Sequence, residues 1–205
     1  MASTFATTRV FLHVGCGHNR KAQTTAGFDA AEWDEVRLDI DPSVAPDIVG
    51  SLTDMGAVES GSMDAVFSSH NIEHLYPHEV PMALGEFKRV LKPTGFVVIT
   101  CPDLRPVAAL VAQDKLTDTA YVSPAGPITP LDMLYGHRPS MRQGNLYMAH
   151  HCGFTQKVLV ATLQTAGFGM VASRSMPECF ALWAVATVAR ADEAEIRHLA
   201  HAHFP

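Results

Sequence analysis

The sequence lacks a long hydrophobic run, a paired-cysteine motif and an N-terminal leader pattern. Its longest apolar stretch near the end, FALWAVATVA, is about half of what a membrane helix requires. The first residues, MASTFATTRV, contain no basic start followed by a long apolar run, the pattern typical of a secretory signal. The four cysteines lie far apart, without the Cys-x-x-Cys spacing of a zinc knuckle. We therefore expect a cytoplasmic chain with reduced thiols and no membrane partner.

Basic charge is also scarce. The chain has 15 Lys and Arg against 21 Asp and Glu, a net charge of −6, and the basic residues are scattered. Because binding to a phosphate backbone needs a concentrated basic surface, we expect no nucleic-acid partner. Apolar residues make up 47% of the 205 residues, which predicts a packed protein, and the length predicts one domain over 1–205. A homodimer is left open.

Apolar runs of strand length recur along the chain and alternate with stretches that suit helices. Helical spacing of apolar residues predicts helices over 77–92 and 155–167, and an amphipathic stretch around FDAAEW precedes the second strand. The alternation favours a mostly parallel sheet covered on both faces. The last two strands are joined only by SMPEC and should pair antiparallel. Strands are predicted at 9–14, 35–40, 46–50, 63–69, 95–101, 168–174 and 180–189.

The segment 102–153 interrupts this alternation. It begins with a candidate helix at LRPVAALVAQ and continues as a stretch rich in proline and glycine, YVSPAGPITPLDMLYGHRPSMRQGN. Long irregular segments inside compact domains usually carry function or are disordered. We interpret 102–153 as an insertion that covers a substrate, with a mobile surface loop as the alternative.

Two glycines, Gly15 and Gly17, follow the first predicted strand in the stretch FLHVGCGHNR. Glycines at this point of an open α/β sheet let a ligand approach the backbone closely, although a plain structural turn uses them too. A dinucleotide fingerprint requires a third glycine where Arg20 stands. Asp39 ends the second strand, where a carboxylate can accept hydrogen bonds from ribose hydroxyls, with Asp41 as the alternative. The turn is therefore predicted to hold an adenosine ligand rather than a pyrophosphate.

Four successive stretches now resemble a known family. They are HVGCGHN, VRLDIDP, SMDAVFSSHNIEHL and EFKRVLKPTGFVVITCPD, and in this order they are similar to the motifs of class I S-adenosylmethionine-dependent methyltransferases, in particular the type 11 group. The later stretch MAHHCGFTQKVLVATLQTAGF also resembles that group. The resemblance implies a Rossmann-like α/β fold with a doubly wound, seven-stranded, mostly parallel sheet in the order 3-2-1-4-5-7-6, the last strand antiparallel. It further implies methyl transfer from S-adenosylmethionine to a small-molecule acceptor, with S-adenosylhomocysteine as product.

Carried over by position, the resemblance also implies a set of cofactor contacts. The glycine loop would line the methionine moiety, Asp39 would hold the ribose hydroxyls, and the residues after the second and third strands would flank the adenine. The end of the fourth strand would face the methionine moiety and the substrate. Cys16 belongs to the loop as a small buried side chain, not as a nucleophile. The predicted cofactor-binding residues are Gly15, Cys16, Gly17, Asp39, Ile40, Ser51, Leu52, Ser69 and His70.

Three positions depart from the family pattern. His13 stands where many members have an acidic residue, Asn19 where a third loop glycine is common, and Ser51 where aspartate is frequent. Asparagine tolerates positive φ, so the loop shape can persist. The two missing carboxylates motivate the main alternative, a non-catalytic methyltransferase-like module that binds the cofactor or serves assembly. A nicotinamide-dependent oxidoreductase is disfavoured because the third glycine is absent.

Histidines are the candidate catalytic groups. A sulfonium is already an activated methyl donor, so the protein mainly aligns the acceptor, but a hydroxyl acceptor also needs a base with a near-neutral pKa. We assign this role to His70, His150 and His151, with hydrogen-bonded structural histidines as the alternative. Whether the acceptor atom is oxygen, nitrogen or carbon does not follow from the fold.

The stretch HNIEHL also has the spacing of a metal site. His70, Glu73 and His74 fall at i, i+3 and i+4, and some methyltransferases bind a divalent ion through a similar Glu-x-x-Glu-His pattern. The first position is histidine here, and the same turn is common in members without a metal. We therefore expect no metal and interpret Glu73 and His74 as fixing the turn after the fourth strand.

Overall fold

The computed structural model describes residues 8–205, so the first seven residues of the predicted domain lie outside the described part. No helix in the described part is long and apolar enough to cross a membrane. The strands are β1 (Arg9–Val14), β2 (Trp33–Asp39), β3 (Ile48–Val49), β4 (Met63–Ser69), β5 (Leu91–Pro102), β6 (Tyr121–Ser123), β7 (Gly126–Ile128), β8 (Met170–Met176) and β9 (Ala181–Thr187). The helices are α1 (Ala26–Asp29), α2 (Val80–Val90), α3 (Leu104–Val111), α4 (Pro130–Tyr135), α5 (Arg138–Arg142), α6 (Gln156–Thr165) and α7 (Glu193–His203).

Seven strands form one sheet in the order β3-β2-β1-β4-β5-β9-β8. Strand β9 runs antiparallel to both of its neighbours, and the other pairings are parallel. Counted within this sheet, the order is 3-2-1-4-5-7-6 with the last strand antiparallel, which confirms the predicted fold. The hairpin of β6 and β7 lies outside this sheet and was not predicted.

Strand β1 shows how alternation builds a core on each face of the sheet. Leu12 and Val14 pack into the larger cluster, which includes apolar residues of α2 and α6. Phe11 faces the other side, where its ring stacks on Phe28 with centroids 4.3 Å apart. Because both faces of the central strands are covered, their sequences read as nearly continuous apolar runs. The carboxyl ends of β1, β4 and β5 are thereby fixed at one edge of the sheet.

The helix α6 begins and ends where the sequence indicates. Thr155 caps its first turn by accepting a hydrogen bond from the Val158 amide. Gly167 follows the last turn with φ of +82°, a conformation that glycine adopts without steric cost. Leu159 and Leu163 lie on one face of the helix and are buried against the sheet.

The connection between β1 and β2 differs from expectation. The amphipathic stretch around FDAAEW contributes only to the four-residue helix α1, and Trp33 already opens β2. Phe28 and Trp33 pack against each other edge to face, with ring centroids 5.1 Å apart. The C-terminal helix α7 covers this face instead, and its His203 is hydrogen-bonded to Thr25 at 2.7 Å. The eleven residues of α7 therefore cover the face of the sheet that a longer helix between β1 and β2 would otherwise cover.

Candidate functional site

A cavity of about 460 Å3 opens at the carboxyl ends of β1, β2 and β4. Eight of the nine residues predicted to bind a cofactor lie in its wall. Cys16 is the exception, because its side chain is buried and burial raises the pKa of its thiol to about 11. The eight lining residues are Gly15, Gly17, Asp39, Ile40, Ser51, Leu52, Ser69 and His70.

The glycine loop needs its glycines for two different reasons. Gly15 and Gly17 both have positive φ, +57° and +52°. A Cβ atom on Gly15 would also lie 1.9 Å from Oδ1 of Asn71, whereas one on Gly17 would meet nothing within 4 Å. The Asn71 amide donates to the carbonyl oxygens of Val14 and Ser69 and so joins the ends of β1 and β4. The close fit of Asn71 against Gly15 fixes the shape of the loop.

The carboxylate of Asp39 holds the loop from the other side. Its Oδ2 accepts a hydrogen bond from the Gly17 amide at 2.7 Å, and its Oδ1 accepts one from the Asp41 amide at 2.9 Å. Each carboxylate oxygen can accept a second bond, so the group still has capacity for a ligand hydroxyl. Asp39 is therefore both a support of the loop and an acceptor on the cavity wall.

A buried arginine that the sequence analysis did not single out ties the loop to β2. The guanidinium of Arg37 donates to the carbonyl oxygens of Gly17 at 2.5 Å and Ala45 at 2.7 Å, and also to those of Asn19 and Val44. Arg37 is only 2% exposed. The signal in the sequence that could have identified it is a charged residue between apolar positions of a strand, two residues before a predicted ligand carboxylate.

The three departures from the family pattern have local structural roles. His13 is buried and does not line the cavity; its Nδ1 lies 2.7 Å from Glu35 Oε1. Burial lowers the pKa of His13, although the Glu35 carboxylate opposes the shift. Asn19 does not need positive φ, because in this loop the two glycines supply it, and its carbonyl accepts from Arg37. Ser51 lines the cavity with its hydroxyl 2.8 Å from that of Thr53.

A second cavity of about 330 Å3 adjoins the first. His70, His74 and Met148 line both cavities. The segment 102–153 supplies most of the remaining wall of the second cavity and also places 145–148 over the first. The two cavities thus meet at the end of β4, beneath one inserted segment.

The three histidines predicted to be catalytic occupy different places. His70 has φ of +54°, is half-exposed and faces both cavities. His150 lines only the second cavity. His151 lines only the first, where its ring stacks on Tyr76 with centroids 4.1 Å apart. His150 and His151 are adjacent in the sequence but line different cavities.

Glu73 is the most unusual polar group at this junction. It is 1% exposed, lines the second cavity, and neither carboxylate oxygen has a hydrogen-bond partner within residues 8–205. His70 Nδ1 lies 3.2 Å from Oε1. Burial alone would raise the pKa of the Glu73 carboxyl, but the imidazole of His70, with smaller contributions from His74 and His150, lowers it. Conversely, despite desolvation, Glu73 raises the pKa of His70.

Glu73, His74 and His150 converge. One potential ligand atom from each lies within 4.8 Å of the other two. From the sequence, Glu73 and His74 are expected only to fix the turn after β4, and no residue of the insertion is predicted beside them. The structure brings His150 there from the far end of that insertion.

Comparison with known proteins agrees with this geometry. Residues 12–99 match the model of a methyltransferase domain family. A 1,6-didemethyltoxoflavin N1-methyltransferase from Burkholderia thailandensis, solved with 1,6-didemethyltoxoflavin and S-adenosylhomocysteine, is 15% identical, with a TM-score of 0.57 over 88% of this chain and 71% of that one. A methyltransferase from Thermotoga maritima, described as a possible histamine N-methyltransferase, is 14% identical, with a TM-score of 0.55 over 88% and 81%.

A third solved structure is matched over nearly its whole length. This methyltransferase from Methanosarcina mazei is 15% identical, with a TM-score of 0.57 over 89% of this chain and 93% of that one. At such identities the solved structures establish a shared fold and nothing finer. A search of curated protein sequences gives no match.

Proposed function

We propose that this chain, which belongs to the class I S-adenosylmethionine-dependent methyltransferases, transfers the methyl group of that cofactor to a small-molecule acceptor. The observation that carries the proposal is the meeting of two cavities at His70 and His74. A methyl transfer needs the donor sulfur and the acceptor atom in line across such a junction. We name the two cavities the cofactor cavity and the acceptor cavity.

The cofactor cavity has the donors and acceptors that an adenosine ligand requires. Asp39 would accept hydrogen bonds from the ribose hydroxyls, and Ile40 and Leu52 would pack on the adenine. The methionine moiety would lie along Gly15 and Gly17, where nothing larger than hydrogen projects from the backbone. S-adenosylmethionine supplies an activated methyl group, so the protein contributes orientation and exclusion of water.

The acceptor cavity has a size and lining that suit a small molecule. Its volume of about 330 Å3 lies within the range of typical ligand pockets, and its wall mixes apolar and polar side chains. Tyr121 and Phe180 supply an aromatic wall, with ring centroids 5.9 Å apart. The acceptor would reach the methyl group past His70 and Met148, which line both cavities.

The alternative function is a non-catalytic module that binds the cofactor or serves assembly. It was motivated by the missing carboxylates at positions 13 and 51. The burial of His13 away from the cofactor cavity argues against a loss of cofactor contacts there. The acceptor cavity, which a pure cofactor-binding module would not need, favours catalysis.

Thermal unfolding with S-adenosylhomocysteine and with NAD tests the cofactor half of the proposal. A ligand at about 100 times its dissociation constant stabilises a protein by about 2.7 kcal/mol, which raises Tm by roughly 5–10 °C for a chain of this length. We expect such a rise with S-adenosylhomocysteine and none with NAD. An unchanged Tm with S-adenosylhomocysteine in a cooperative transition would contradict the proposal.

Methyl transfer itself is measured with methyl-labelled S-adenosylmethionine and a panel of small hydroxyl and amine acceptors. Label in any acceptor supports catalysis. A clear rise in Tm with S-adenosylhomocysteine together with no transfer across the panel would favour the non-catalytic alternative.

A further inference from the structure

We propose that Glu73, His74 and His150 bind a divalent first-row metal ion in the wall of the acceptor cavity, and that the ion binds a hydroxyl oxygen of the acceptor. The first half, the metal site, stands on its own geometry. The second half, the choice of a hydroxyl acceptor, rests on the proposed function.

The unpartnered carboxylate of Glu73 is the first argument. A buried carboxylate without hydrogen bonds is strongly unfavourable, and nearly all buried polar groups in native proteins are partnered. The acceptor cavity contains a second carboxylate for comparison, Asp132, which accepts hydrogen bonds from Thr129 and Arg138. Asp132 is satisfied by protein groups, whereas Glu73 has its charge and its lone pairs available for a cation.

The orientation of the two histidines is the second argument. Nδ1 of His74 lies 3.1 Å from the carbonyl oxygen of Ala149, and Nδ1 of His150 lies 2.9 Å from that of Met133. A carbonyl oxygen can only accept, so Nδ1 must carry the proton in each ring. In the neutral ring Nε2 is then left with a free lone pair. Metal-binding histidines characteristically donate their other ring N–H to a carbonyl or carboxylate in this way.

The potential ligand atoms of Glu73, His74 and His150 are also close enough to share an ion, since they lie within 4.8 Å of one another. Ions such as zinc bind imidazole nitrogen and carboxylate oxygen at about 2.0–2.2 Å, so small side-chain movements bring these atoms to ligand distance. Two imidazoles and one carboxylate form a set that binds zinc and neighbouring first-row metals. Three protein ligands leave a coordination position open, which is typical of catalytic rather than structural sites.

The open position would face the acceptor cavity, which Glu73, His74 and His150 all line. A metal ion lowers the pKa of a bound hydroxyl, so the acceptor O–H releases its proton to solvent water. The alkoxide or phenolate oxygen then forms a bond to the methyl carbon. The carbon–sulfur bond breaks, its electron pair stays on sulfur, and S-adenosylhomocysteine and the methyl ether result.

The competing explanation for Glu73 is an ion pair with His70. His70 Nδ1 is 3.2 Å from Oε1, and this contact leaves Oε2 unaccounted for. It also gives no reason for a ring nitrogen of His74 and one of His150 to lie within 4.8 Å of each other and of the same carboxylate. The ion pair accounts for one oxygen of Glu73, whereas a metal ion accounts for the convergence of Glu73, His74 and His150.

Metal binding is tested on the full chain after treatment with a chelator and its removal. Zn2+ and Co2+ are titrated by calorimetry, and Co2+ is also followed by its visible absorption, which reports coordination geometry. We expect one tight site per chain. The chain has 11 histidines, so weaker surface binding is separated by stoichiometry and by variants.

The adjacent pair His150 and His151 provides a matched control. His150→Gln and Glu73→Gln should each weaken binding at the tight site by about a hundredfold or more, since removal of groups that merely orient a ligand already costs 10–100-fold. His151→Gln should leave the affinity unchanged, because His151 lies in the cofactor cavity. Thermal unfolding without metal verifies that each variant is folded.

The outcomes separate the two proposals. No tight site in the wild-type chain, or an equal loss of affinity in His151→Gln, overturns the metal site. If S-adenosylhomocysteine still raises Tm in that case, the proposed function stands without it. If metal binds but S-adenosylhomocysteine does not, the proposed function fails and the metal site remains. Labelled methyl appearing only on amines, with the metal bound, would overturn the hydroxyl acceptor.

Discussion

Asp39 in the cofactor cavity and Glu73 in the acceptor cavity are both buried carboxylates near the ends of parallel strands. Asp39 is 8% exposed and already accepts hydrogen bonds from two backbone amides. Glu73 is 1% exposed and has no hydrogen-bond partner in the described part of the chain. The cofactor cavity is thus held in shape by its own backbone, whereas the acceptor cavity retains an unsatisfied charge.

Because the two cavities are held in different ways, they would meet their proposed ligands differently. Backbone amides and the buried Arg37 hold the glycine loop, so a cofactor meets a preformed surface and little ordering is required. The acceptor cavity combines the turn after β4 with a segment inserted much later in the chain. Its polar groups converge only through tertiary contacts, and the carboxylate of Glu73 has no hydrogen-bond partner in the described residues. Substitutions in the two cavities should therefore act differently.

The largest loss of stability is expected for Arg37→Met. It removes hydrogen bonds from a buried guanidinium to four carbonyl oxygens, including that of Gly17. Hydrogen bonds to a charged group contribute about 1.5–3 kcal/mol each, and water can replace only some of these four, so the free energy of unfolding should fall by at least about 3 kcal/mol. Urea denaturation measures the loss. Arg37→Lys, which keeps the charge but not the planar set of donors, should lose less, and a loss below about 1 kcal/mol in Arg37→Met would show that the loop is held elsewhere.

Gly15→Ala should have the next largest effect, with Gly17→Ala as its control. Both substitutions place a side chain at positive φ, which costs about 1–2 kcal/mol. Gly15→Ala also drives a Cβ into Asn71, which holds β1 to β4. We expect Gly15→Ala to be the less stable by about 1 kcal/mol or more and to bind S-adenosylhomocysteine more weakly. Equal stability of the two variants would mean that Asn71 moves away at little cost.

The comparison of the two carboxylates is tested by removing each charge. Asp39→Asn should lower the free energy of unfolding by about 1–2 kcal/mol, because an amide nitrogen then faces a backbone N–H. It should also weaken binding of S-adenosylhomocysteine. Glu73→Gln, measured without metal, should cost less stability than Asp39→Asn, since it removes the 3.2 Å contact with His70 but no backbone hydrogen bond to the carboxylate. A loss of stability in Glu73→Gln as large as in Asp39→Asn would break the comparison.

Local signals in the sequence were sufficient for most of the cofactor cavity. Two of these signals are the glycine spacing after an apolar run and the aspartate at the end of the next strand. Both can be recognised from residues that are neighbours in the sequence, and eight of the nine predicted residues lie on the wall of the cavity. The contacts that hold this wall were missed because they cross strands. Arg37 reaches back to the loop after β1, and Asn71 reaches from the end of β4 to Val14.

The expectations that failed share a dependence on tertiary packing. The FDAAEW stretch suggested an amphipathic element, but the helix ends after one turn at Asp29, and Phe28 and Trp33 are buried against one another. In the acceptor cavity, no pattern in the sequence links Glu73 to His150 across the insertion. Their convergence follows from two backbone hydrogen bonds, in which the amides of His151 and Cys152 donate to the Glu73 carbonyl.

The smallest effects on stability and on ligand binding are expected for substitutions in the part of the insertion that covers the cofactor cavity. Tyr147 and Tyr135 both lie in the insertion and are both 62% exposed, but only Tyr147 lines that cavity. Because surface substitutions change stability by about 0.5 kcal/mol or less, Tyr147→Ala and Tyr135→Ala should unfold at nearly the wild-type urea concentration. An aromatic contact contributes about 0.5–1.5 kcal/mol, so Tyr147→Ala should weaken S-adenosylhomocysteine binding by about two- to tenfold while Tyr135→Ala does not. Equal affinities in calorimetric titrations of the two variants would place the insertion outside cofactor binding and restrict it to the acceptor cavity.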